Sequence, residues 1–181
     1  MSRARYDRMI DAGLLGPEDP IELLDGLLVV REPQGERHAT AVGLVRSALE
    51  RAFGATYHLG EEKPIALDER SEPEPDIAVV PGRLRDHRDR HPSRPVLVVE
   101  VAETSPAFDR LRKGRLYARA GIADYWVVNL LDEVLEVHRD PGRAAGGQDW
   151  KYDSVRVLRR NAVVTPLAAP KARIRVSSLL P

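Results

Sequence analysis

The chain has 181 residues, 43% of them hydrophobic and 31% charged, and its 28 basic and 28 acidic side chains cancel to a net charge of zero. That size supports one core-bearing domain over residues 1–181, and neutrality excludes a surface that binds nucleic acid all over while leaving room for a local basic patch. With no cysteine there is no disulfide or thiolate metal site, and with no long apolar run and no signal-peptide core we expect no membrane span and a cytoplasmic protein.

Taken in order, Arg3 to Ala12 carries Tyr6, Met9 and Ile10 at helical spacing, with Gly13 to end the helix. Leu14 to Pro20 reads as a loop. Ile21 to Leu24, then Asp25-Gly26, then Leu27 to Arg31 is a β-hairpin pattern, because Asp-Gly suits a type I′ turn. Pro33 to Glu36 reads as a turn. Ala41, Leu44, Val45, Ala48, Leu49 and Ala52 then give Arg37 to Phe53 an amphipathic helical stripe, stopped by Gly54.

Ala55 to Leu59 and Pro64 to Leu67 are expected as strands, and Ser71 to Pro75 is too proline-rich for a regular element. Asp76 precedes an apolar strand, Ile77 to Val80. Arg83 to Pro95 is a polar loop or short exposed helix. Val96 to Val99 is a continuous apolar run without alternation, as in a strand buried on both faces, and Glu100 stands at its end. Ser105 offers an N-cap, Pro106 suits the first helical position, and Phe108, Leu111, Leu116, Tyr117 and Ala120 form an apolar face before Gly121. Tyr125 to Val128 is a second buried strand, which completes a strand–helix–strand unit. A turn from Leu130 to Glu133 leads to a strand from Val134 to Arg139. Pro141 to Gln148 is expected as a flexible connection, Trp150 to Arg159 as a strand, and Arg173 to Val176 as a last short one.

Two carboxylates border apolar strands that should lie mid-sheet: Asp76 and Glu100. An ionised carboxylate there is costly unless paired or bound to a metal. Placed side by side, the two would offer the hard oxygens that Mg²⁺ (or Mn²⁺) takes alongside water and a phosphate; taken singly, either also reads as a strand-end residue reaching solvent. Lys113 is one of only four lysines in an arginine-rich chain. From Pro106 the helix climbs about 10 Å to Lys113, and Glu100 lies about 7–10 Å back from the end of its strand. A helix packed antiparallel on the strand therefore returns Lys113 level with Glu100. The plainer reading is a surface i,i+4 pair with Asp109.

The segment RLRDHRDRHPSR (83–94) holds five arginines and two aspartates, and Arg83, Arg85, Arg88 and Arg90 are candidate phosphate contacts beside the site; it also reads as a solvated, partly self-neutralised loop. His87 and His91 lack the partners of a zinc site. Glu22, on the hairpin, could face the same site, and His38 begins the long helix. No dinucleotide, Walker A or nucleophile-elbow motif is present.

ELLDG (22–26), His38, EPDIAVV (74–80), LVVEVAETS (97–105), DRLRK (109–113) and YARAGIADYWVVN (117–129) together resemble the Uma family of restriction-endonuclease-like proteins, from Tyr6 to the final strand. The resemblance implies the PD-(D/E)XK fold, an α/β (α+β) arrangement in which helices flank a mixed central β-sheet, here with an N-terminal helix and hairpin. It implies that Asp76 and Glu100 are catalytic and bind the metal, that Glu22 and His38 support the site, and that the substrate is DNA. The lysine usual two positions after the second acid is absent, since residue 102 is alanine; the family resemblance gives its role to Lys113. A Mg²⁺-dependent endonuclease follows, for which a homodimer would suit cutting both strands. Two other readings remain: a catalytically silent nuclease fold that binds nucleic acid or a protein partner, and a metal-dependent hydrolase of small phosphoesters.

Overall fold

The computed structural model describes residues 1–16, 19–31, 34–104, 106–147 and 149–181. The expected Ser105 N-cap, and Pro33 and Gln148 at the edges of two expected connections, lie outside the described residues.

Helix α1 (Arg3–Asp11) buries Tyr6, whose hydroxyl donates to the Ile21 carbonyl and ties the helix to the hairpin. Strands β1 (Ile21–Leu24) and β2 (Leu27–Val30) pair antiparallel around Asp25 and Gly26, both at positive φ as a type I′ turn requires. The hairpin stands apart from the main sheet, and an isolated bridge from Leu23 to Glu72 ties it to the irregular proline-rich segment. Helix α2 (Glu36–Phe53) buries Ala41, Val42, Val45, Ala48, Leu49 and Phe53, the stripe that its 3.6-residue period dictates.

Strands β3 (Tyr57–Glu61), β4 (Ile77–Pro81), β5 (Leu97–Ala102), β6 (Asp124–Asn129), β7 (Val134–Arg143) and β8 (Trp150–Arg159) form one sheet in that spatial order. Only β5 and β6 run parallel, so the sheet is mixed. The β5–β6 crossover is helical: α3 (Pro106–Phe108), a π-helical turn (Asp109–Lys113), then α4 (Gly114–Arg119). One core joins α2 to Leu97, Val99 and Val101 of β5 and to the C-terminal Val176, Leu179 and Leu180. The other joins Tyr117, Ala118 and Ile122 to Val98, Ala102, Tyr125 and Val127. Alternate residues of β5 thus face opposite layers, which is why the run carries no polar alternation. No described helix is long and apolar enough to cross a membrane.

Several expectations need correction. Pro64 to Leu67 is no strand; its amides bond instead to Pro73, Pro92 and Ser71 carbonyls in an irregular excursion. The third strand begins at Tyr57, after a 3₁₀ turn over Gly54–Thr56. The run at Val96 extends as β5 to Ala102, so Glu100 lies inside the strand and not at its end. Pro141 to Arg143 belongs to β7, paired with Trp150 to Tyr152, so the expected flexible connection is sheet over its first three residues. Leu111 is exposed because the π turn rotates the helix away from a strict 3.6-residue face, and Ala120 because it caps the end of α4. The short strand β9 (Val163–Val164), which pairs with β10 (Ile174–Arg175), has no counterpart in the sequence reading.

Candidate active site

Strands β4 and β5 pair antiparallel with Ile77 opposite Val99, so Asp76, one step before β4, falls opposite Glu100. The Glu100 side chain meets Tyr117 of α4, while that of Asp76 reaches His38 of α2. The Asp76 carboxylate is held at both oxygens: Oδ2 accepts from the Val101 amide at 2.6 Å, and Oδ1 lies 3.3 Å from His38 Nε2. Glu100 is 2% exposed, and its Oε1 accepts from the Tyr117 hydroxyl at 2.6 Å. Lys113 Nζ lies 3.1 Å from that same oxygen and 3.5 Å from Glu22 Oε1. Glu22 is in turn fixed by the Glu74 amide, which donates to Oε2 at 3.0 Å.

The π turn delivers Lys113. It widens the helix between Asp109 and Lys113, so that Lys113 is buried against β5 while Leu111 stays in solvent. Such turns are rare and concentrate where a side chain must be re-aimed. The Tyr125 hydroxyl donates to the Asp109 carbonyl at 3.1 Å and anchors the start of the turn. The surface pair of Lys113 with Asp109 is therefore replaced by a buried contact with Glu100 and Glu22.

The electrostatics are those of excess buried negative charge. Burial pushes the Glu100 carboxyl well above its ordinary range; Lys113 opposes this, while Asp76, Asp109 and Glu22 add to it. Burial likewise raises Asp109 to about 6, with the charges of Asp76 and Glu22 outside the reach of full compensation by Lys113. For Lys113, burial favours the neutral amine, but Glu100, Glu22, Asp109 and Asp76 outweigh it and hold the ammonium charged above its ordinary value. His38 is held above its ordinary value by Asp76 against the opposing effect of burial.

These groups line a pocket of about 210 Å³. Its acidic lining is Glu22, Glu74, Asp76, Glu100, Glu103 and Asp109, and its apolar wall includes Val29, Val30 and Phe108. Among the described residues, no three histidine, cysteine or acidic side chains are placed together to hold a metal ion. The hard oxygens of Asp76 and Glu100 suit a divalent cation, and one lysine facing several carboxylates leaves charge for it to neutralise.

Asp76, Glu100, Lys113, Glu22 and His38 thus converge. The arginines of 83–94 do not: their loop leaves β4 at Pro81, the strand's far end from Asp76, and Arg83, Arg85, Arg88 and Arg90 are absent from the pocket wall. The expectation that they sit beside the site is corrected by strand direction, since a loop joining antiparallel strands emerges at the end opposite Asp76 and Glu100. Arg90 instead lines a separate cleft with Glu72, Arg3 and Asp7. Sequence reasoning missed Arg31, Phe108 and Tyr117 as pocket or site residues and took Asp109 for a surface partner. Only Asp109 carried a signal, its four-residue spacing from Lys113.

The chain matches over residues 3–177 the family model Uma2, described as "Putative restriction endonuclease". The crystal structure of a "putative nuclease belonging to DUF820" from Anabaena variabilis is similar with a TM-score of 0.71 at 16% sequence identity, covering 93% of this chain and 94% of that one. Identity at that level speaks for the fold alone. No curated protein matches the chain.

Proposed function

Because the chain belongs to the Uma2 family, within the PD-(D/E)XK restriction-endonuclease-like superfamily, we propose that it binds nucleic acid at the acidic pocket and hydrolyses a DNA phosphodiester bond there with the help of Mg²⁺. The observation that carries this reading is the cluster of buried Glu22, Asp76 and Glu100, with half-buried Asp109, around Lys113. Such a cluster repels a phosphate unless a cation intervenes. Asp76 and Glu100 would hold that cation, with a backbone carbonyl near Val101. Bound there, it would polarise a phosphate oxygen and lower the pKa of the attacking water.

The remaining work falls to the chain's own residues. Lys113, fixed by Glu100 and Glu22, presents a charged donor that orients water or stabilises charge building on the phosphorus oxygens. His38 and the Val101 amide hold the Asp76 carboxylate in one orientation. Tyr117 does the same for Glu100. Low exposure of all six side chains keeps bulk water from screening them.

A second reading has its own observation. No three ligating side chains are gathered among the described residues, and both Asp76 oxygens are already engaged. A catalytically silent nuclease fold that binds nucleic acid or a protein partner needs no rearrangement of Asp76, and for the metal-free pocket this is the simpler account.

One experiment separates them. Purified protein is incubated with plasmid and oligonucleotide DNA in Mg²⁺ or Mn²⁺, beside calorimetric titration with each metal. The nuclease reading expects cleavage and a metal site, both abolished by Glu100→Gln and Asp76→Asn. Metal-independent, salt-sensitive DNA binding without cleavage would establish the silent module instead.

A further inference from the structure

The pocket is shaped for more than a bare phosphate. Three buried side-chain nitrogens lack a hydrogen-bond partner among the described residues, and two of them, Arg31 Nε and His38 Nδ1, belong to residues lining this pocket. Arg31 is tethered through Nη2 to Glu74 at 3.1 Å, which leaves its Nε–H without an acceptor among the described residues. Buried donors are otherwise satisfied almost everywhere in proteins, so an orphan in a pocket wall marks where a ligand acceptor belongs.

Phe108 stands at the same wall, half-buried, with Val29 and Val30 beside it. The Arg112 guanidinium lies over the Phe108 ring at 5.7 Å from its centroid. Arg112 is not part of the pocket lining, whereas Phe108 is, so the pocket wall carries an aromatic ring, and every base offers a π-face to stack on one. The carboxylates also lie deep. Asp76 and Lys113 are each 7% exposed and Glu100 2%, beneath the hairpin strand β2 on one side and the start of the crossover helix on the other. A duplex keeps its bases stacked on one another inside the helix, so it offers Phe108 no free base face. A single strand does.

On the strength of the nucleic-acid reading above, we propose that the pocket takes one unpaired nucleotide, its base against Phe108 and its phosphate acceptor on Arg31, so that the substrate is single-stranded nucleic acid. Phe108 and Arg31 then set the preference for strand form, while Asp76, Glu100 and Lys113 do the chemistry.

The test is fluorescence anisotropy with a labelled single-stranded oligodeoxynucleotide and with the same strand annealed to its complement, using Ca²⁺ in place of Mg²⁺ to suppress hydrolysis. The single strand is expected to bind at least about tenfold more tightly than the duplex. Phe108→Ala should cost about tenfold of that affinity, as loss of one stacked base does, and Phe108→Trp should keep it, which separates stacking from folding. Arg31→Gln should weaken single-strand binding and flatten its salt dependence. Equal affinity for both forms, with Phe108→Ala indistinguishable from wild type, overturns this inference and leaves the nucleic-acid reading standing. No binding of either form by the wild-type protein takes down both.

Discussion

Lys113 is held between Glu100 and Glu22 with almost no solvent to share its charge. A buried pair of this kind contributes little over an apolar substitute, yet removing one partner is expensive, because the other is left ionised and unpaired. Lys113→Met is therefore expected to cost about 3 kcal/mol near neutral pH, measured by urea denaturation. Adding Glu100→Gln should recover a large part of that loss, since the uncompensated carboxylate is then gone. The loss in the single variant should shrink on acidification, because Glu100 and Asp109 protonate readily in the fold. If the double variant is as unstable as the single one, Lys113 acts through packing of its aliphatic stem and the charge argument fails.

The crossover helix shows how one irregular turn serves the site. Its π turn aims Lys113 inward, and the residue after Asp109, Arg110, reaches the opposite side of the turn to grip Glu136 of β7 with both Nε and Nη2. Despite its burial, this grip, with His138 and Asn129, holds the Glu136 carboxyl down at about 2. The folded value lies below the ordinary one, so the contribution is present above about pH 4.5 and is lost as the pH falls through about 2. Arg110 is partly exposed, so solvent screening reduces the gain to about 1–2 kcal/mol. Glu136→Gln should lose that amount at pH 7, and its urea midpoint should converge with the wild type between pH 4.5 and 2. A difference independent of pH would mean that packing, not charge, fixes the turn. The elements themselves were largely legible in the sequence, because burial imposes period: the stripe of α2, the Asp-Gly hairpin and the unbroken apolar run of β5 each follow from it. That Asp76 and Glu100 could stand side by side was legible as one of two readings, from two apolar runs each bordered by an acid; the pairing that makes them neighbours was not. The π turn was not, since nothing in DRLRK departs from ordinary helical composition. The placement of the arginine loop was misjudged because proximity in sequence says nothing about which end of a strand a loop leaves. Arg31 and Phe108 could not be found at all, as each reaches the pocket only through the packing of the hairpin and the helix start around it.

Across the whole molecule, the acidic pocket sets stability against function. Folding buries Glu100 beside Asp76, Asp109 and Glu22, and Lys113 offsets only part of their repulsion. The Glu100 pKa is raised on folding, so its cost to stability is absent below its ordinary value near pH 4.5 and grows as the pH rises toward the folded value. Glu100→Gln should therefore make the metal-free protein more stable than wild type at pH 8, with the gap closing by about pH 4.5. Lys113 keeps Glu22 as a partner in that variant, so no new orphan charge arises. A divalent cation should relieve the same repulsion in the wild type. At about a hundred times its dissociation constant it adds about 2.7 kcal/mol, which for a chain of this length is a rise in Tm of about 5–10 °C. Differential scanning calorimetry with and without Mg²⁺ measures both effects together. The wild type should melt lower without metal and higher with it, while Glu100→Gln should melt high and ignore the ion. A wild type that is the more stable protein without metal would mean that the carboxylates are already satisfied within the chain, and the pocket would then have no unmet charge for a cation to fill.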